Sequence, residues 1–186
     1  MNEARKLEED LGYVRTVLDR SGGGGAPRSI WYLWAAIVLV GFSLADFAPW
    51  RMPLYWMIAG PAGFLASAWL GRRGARSAGV ESRRMGIAHL LHWGGMMAAI
   101  ALLVPLAVTG PLAGEPMGQA VLVVVALGYF LAGIHLYRPL AWVAGLVVAG
   151  YALTFLLDAW AWTLAGALVA AGMIVTARSS GGRRAS

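Results

Sequence analysis

Two of the three histidines lie three apart in the apolar stretch AHLLHWGG (88–95), as His89 and His92, with Trp93 four residues after His89. Offsets of three and four place side chains on one face of a helix. The third, His135, lies beyond the short Pro111–Pro116 connection, and His92 and His135 are equidistant from its midpoint. If the flanking segments fold back as a simple antiparallel hairpin, the imidazoles share one depth. In an apolar setting such a layer has three uses. It can hydrogen-bond across helices, line a cavity that binds or relays a proton or small polar molecule, or ligate a metal. Three imidazoles could serve zinc, and His92 with His135 could hold a haem iron, but no cysteine or carboxylate stands near the layer to complete a shell. No cofactor is therefore expected, with zinc or haem as the remaining option.

Two carboxylates, Asp46 and Asp158, stand beside tryptophans at the far ends of their apolar stretches. Each can reach water as an interfacial group. Facing a shared cavity, they would instead form a cation-attracting mouth, countered there by Arg51 alone. Gln119, Tyr129, Tyr151, Thr154 and Thr163 are scattered polar groups that could line a path or bond to one another. Other chemistry is missing. There is no metalloprotease His pattern, and no phosphate-cradling loop, because the run Gly22–Gly25 lacks a following Lys-Ser or Lys-Thr. The chain has no cysteine, hence no disulfide framework or thiolate site. An enzyme is not expected.

The elements that must position these residues follow from composition. The 186 residues are 59% hydrophobic and 13% charged, half the charge of an ordinary soluble domain. Six windows hold no Lys or Arg: 30–49, 52–71, 85–110, 117–137, 139–157 and 160–177. About 20 apolar residues cross a hydrocarbon core as helix, and the ten-residue alternation of barrel strands is absent. The sequence predicts an all-α integral membrane bundle of six transmembrane helices, arranged as three antiparallel hairpins. The charged segment before the first window is too long for a cleavable leader.

Fourteen of the 15 basic residues fall in alternate connections and the two termini, and Arg51 alone falls opposite. By the positive-inside rule both termini are cytoplasmic. The basic balance of +6 therefore flanks spans rather than forming a nucleic-acid surface, and the partner is the lipid bilayer. Arginine outnumbers lysine fourteen to one, which suggests a GC-rich bacterial genome and an inner-membrane location. Trp31, Trp34, Trp69 and Trp142 mark the inner ends of spans; Trp50, Trp56, Trp160 and Trp162 mark outer ends. Trp93, well inside the third window, is expected to face protein.

Residues 1–20 predict a cytoplasmic amphipathic helix with Leu7, Leu11, Val14 and Leu18 spaced 4, 3, 4. A Gly-rich linker at 21–28 tethers it to the membrane domain (29–177), and a basic tail follows (178–186). The helix either lies on the headgroups and bundle, or binds a cytoplasmic protein or another copy of the chain. FLASAWLGR (64–72) and FLAGIHLYR (130–138) match at five positions, which hints at a duplicated hairpin. The small pairs Gly63/Ser67, Gly128/Ala132 and Gly166/Ala170 would let helix backbones approach, and Pro61 and Pro105 interrupt spans two and three. Together these features predict a non-enzymatic regulatory, sensory or accessory membrane subunit. The other reading is a small-molecule or ion transporter with a histidine-lined path.

Overall fold

The structure, a computed structural model, describes Gly12 and residues 27–77, 83–110 and 112–182. Apart from Gly12, the predicted N-terminal helix, with Leu7, Leu11, Val14 and Leu18, lies outside the described residues. Among those described, the chain forms six helices and no strand: α1 (Arg28–Phe47), α2 (Met52–Ser77), α3 (Arg83–Thr109), α4 (Glu115–His135), α5 (Pro139–Leu156) and α6 (Ala161–Gly182), with a 3-10 turn at Pro49–Arg51. Five of them (α1, α3, α4, α5 and α6) are long and apolar enough to cross a membrane. At 26 residues α2 has the length, but its glycines, prolines and ring residues dilute its apolar character.

Helix ends follow local chemistry. Prolines take the first positions of α4 and α5, where a missing N–H costs nothing. Glu115 in the first turn of α4 complements the positive end of the helix dipole. α1 stops at Phe47, two residues before the predicted end, because Ala48 precedes Pro49 and is driven out of the helical region. Two helices run beyond the apolar windows. α2 continues through its arginines to Ser77, and α6 runs on past Arg178 to Gly182.

Neighbours in sequence pack antiparallel except α2 and α3, and α6 closes back against α1. The packed pairs run α2–α1–α6–α5–α4–α3, an arc left open between its two ends. Across that opening, Met97 Cε of α3 lies 3.6 Å from where a Cβ on Gly60 would stand. The buried core is drawn from four helices: Trp31, Ala35 and Val38 of α1; Leu122, Ala126, Tyr129 and Ala132 of α4; Leu140, Val143, Ala144 and Val147 of α5; Val169, Ala170, Met173 and Ala177 of α6. α2 and α3 add only partly buried tryptophans, Trp56 and Trp93.

Alternation of direction sorts charge. The ends carrying Arg28, Arg72, Arg73, Arg76, Arg84, Arg138 and Arg178 all lie together, and the three described acids, Asp46, Glu115 and Asp158, lie at the other end with Arg51.

Candidate functional site

α3 meets α4 through His92. Its Nε2–H donates to the backbone carbonyl of Gly128 at 2.9 Å. Gly128 has room for this because it has no side chain: a Cβ there would lie 2.6 Å from Met96 Sδ, one turn along α3. Trp93 packs edge-on to His92 (4.9 Å between ring centroids) and to the buried ring of Tyr129 (5.2 Å). His92, Trp93, Met96, Gly128 and Tyr129 therefore form one seam, and Trp93 faces protein.

The other two histidines do not join it. His89 donates from Nδ1 to the Met85 carbonyl of its own helix at 2.9 Å. His135 is exposed at the last residue of α4, seven residues beyond Gly128. At 1.5 Å per residue that is about 10 Å along the axis. The equal-depth expectation fails because the reversal is not centred on the two prolines. α4 already begins at Glu115, and Gly110 and Gly114, both with positive φ (114° and 76°), turn the chain between them. Glycine adopts that backbone without steric cost. Among the described residues no three His, Asp or Glu side chains converge closely enough to hold a metal ion.

The acidic end shows a second seam. Asp46 Oδ2, near the end of α1, accepts both the backbone N–H of Thr163 at 2.7 Å and its hydroxyl at 2.6 Å. Thr163 is the third residue of α6, so the carboxylate satisfies an orphan donor of the helix start and opposes the positive end of its dipole. Trp160 precedes that helix with φ 61°, a conformation rare for a bulky residue. Its ring packs edge-on to Phe47 at 4.9 Å, beside the same seam. Phe42 bridges Trp56 and Trp162 (6.1 and 5.8 Å) and occupies the space a Cβ on Gly166 would need. Asp158 stays exposed in the α5–α6 connection, so the two aspartates have different surroundings.

Smaller polar joins complete the set. Trp34 Nε1–H donates to Ser67 Oγ at 2.9 Å and Tyr55 donates to the Ile37 carbonyl at 2.8 Å, tying α2 to α1. Gln119 of α4 donates to Thr154 of α5 at 3.3 Å, and Thr154 in turn donates to the Tyr151 carbonyl. The indole N–H of Trp31, 4% exposed, has no acceptor among the described residues. Of the residues read from the sequence, the fold brings His92 and Trp93 together and separates His89 and His135 from them. Sequence reasoning missed the Asp46–Thr163 pair and the role of Gly128. The available signals were a threonine just inside the last window and a glycine in a small pair. Comparison with protein-family models, curated proteins and solved structures gives no match.

Proposed function

We propose that the chain is a six-span bacterial inner-membrane protein with cytoplasmic termini, acting without catalysis as a regulatory, sensory or accessory subunit. The sorting of charge supports this topology: arginine gathers at one end of the bundle and the described acids at the other. Counting α2 as a span rests on its 26-residue length, the arginines at one end and Trp50 and Trp56 near the other.

One observation carries the functional reading. Four polar side chains inside the bundle join helices, His92 to Gly128, Asp46 to Thr163, Gln119 to Thr154 and Trp34 to Ser67. Groups so engaged make a scaffold, and the element left to act is the N-terminal segment, through a cytoplasmic partner or a second copy. Deleting residues 1–25 is expected to abolish the cellular phenotype of the gene while the purified bundle keeps its helical circular dichroism. An intact phenotype after that deletion rejects the reading. Proton or solute flux in liposomes that disappears in His92→Ala would replace it with a transporter.

A further inference from the structure

Each packed join of the arc has a glycine at which the neighbouring helix comes in close. A Cβ on Gly63 would stand 2.8 Å from Ile37 across α1–α2, one on Gly166 2.7 Å from Phe42 across α1–α6, and one on Gly150 3.1 Å from Ala165 across α5–α6. At Gly133 the distance to Ala141 of α5 is 2.5 Å, and at Gly128 the distance to Met96 of α3 is 2.6 Å. The opening between α2 and α3 differs. Gly60 is buried there, yet among the described residues only the tip of Met97 comes within 4 Å of its Cβ position. That distance, 3.6 Å, is an ordinary contact that would leave room for a methyl group. Three residues before Met97, on the same side of α3, a Cβ on Gly94 would meet nothing within 4 Å among the described residues. Close backbone approach is what holds apolar helices together in lipid, and even a small gap forfeits much of that attraction. The join is loose. Its two helices also have places to bend: Pro61 and Pro105 each remove a ladder hydrogen bond, and Gly110 and Gly114 follow α3 with positive φ. Toward α4, by contrast, α3 is held by the bond from His92 to Gly128.

We propose that the gap between α2 and α3 opens and closes within the membrane, with Met97 against Gly60 as its catch and the α3–α4 seam as its pivot, while the other joins stay fixed. This rests on the membrane topology proposed above, because a lipid tail replaces the thioether in the open state at little cost. Two shapes of one bundle form an equilibrium that a partner or the bilayer can bias by favouring one of them.

The chain has no cysteine, so pairs of nitroxide labels can be placed on it without background. Leu65→Cys with Leu91→Cys reads the opening from exposed positions on α2 and α3, and Val40→Cys with Leu164→Cys reads the α1–α6 join from equally exposed ones. Pulsed dipolar spectroscopy of the full chain in phosphatidylcholine nanodiscs is expected to give two distance populations for the first pair and one for the second. Gly60→Ala, whose methyl group would meet Met97 at contact distance, should shift the first pair a few-fold toward the short distance. Met97→Ala should shift it a few-fold toward the long one. Neither should change the second pair. A single population for Leu65/Leu91 that neither substitution moves would overturn the proposal. Equal changes in both pairs would also overturn it, since they would mean general loosening of the bundle. Labels relaxed by a water-soluble nickel chelate rather than by oxygen would instead overturn the membrane topology, whatever the distances.

Discussion

FLASAWLGR closes α2 and FLAGIHLYR closes α4, yet the two helices have opposite fates. α4 lies between α3 and α5 and buries Leu122, Ala126, Gly128, Tyr129, Ala132 and Gly133, whereas α2 buries only Gly60 and Gly63. Ala132 is fully buried; its counterpart Ala66 is only half-buried. Nothing in the shared residues separates these outcomes. In the proposed bilayer setting, lipid tails are as apolar as leucine, so a hydrophobic face gains little by turning inward. What holds α4 inside is close approach. A Cβ on Gly133 would lie 2.5 Å from the Ala141 backbone nitrogen, across the turn into α5. Away from its seam with α4, α3 shows the outer pattern, with none of its most apolar stretch buried and, among the described residues, nothing within 4 Å of a Cβ at Gly94 or Gly95.

Gly133→Val should break that contrast most severely. Overpacking against backbone is expected to cost about 3 kcal/mol or more, roughly 10 °C in the midpoint of thermal unfolding in detergent. The same change at Gly94 should stay within about 0.5 kcal/mol. Similar losses at the two sites would show that the Gly94 face of α3 is packed after all.

Asp46→Ala comes next, at about 2 kcal/mol, because α6 loses the acceptor at its start. Asp46→Asn keeps an acceptor oxygen and should lose less, while Asp158→Ala should stay within about 0.5 kcal/mol. Equal effects of the two alanine variants in denaturant titrations would favour a shared mouth over a helix cap.

His92→Ala removes one interhelical hydrogen bond, for which about 1 kcal/mol is the expected scale in a membrane. His135→Ala, at the exposed end of α4, should leave the melting point unchanged. A double variant more destabilised than the sum of the singles would couple the two histidines and reject their separation. Gln119→Leu should be smallest, about 0.5 kcal/mol or less, since its bond to Thr154 is long and a leucine fits the apolar surroundings.

Legibility in the sequence tracked the kind of force involved. Window lengths anticipated all six helices, because backbone groups in an apolar run must bond internally. The small pairs were legible as well: Gly63 faces Trp34 and Ile37, Gly128 faces Met96 and Gly166 faces Phe42. The histidine layer was misread by half, because residue counting from a turn ignores where the helices begin and how they stagger. Asp46 read as an interfacial carboxylate, but its partner is 117 residues away. No local pattern marks such a pair.

Helix number, the gathering of arginine at alternate ends and the apolar character of the rods were determined by the sequence alone. Each depends on local composition and on the need of a peptide group for a partner. Which rods lie inside, which histidine meets a carbonyl and which aspartate caps a helix were decided only by tertiary structure. Those outcomes depend on backbone approach within a few ångströms, to which an apolar solvent and an apolar core look the same.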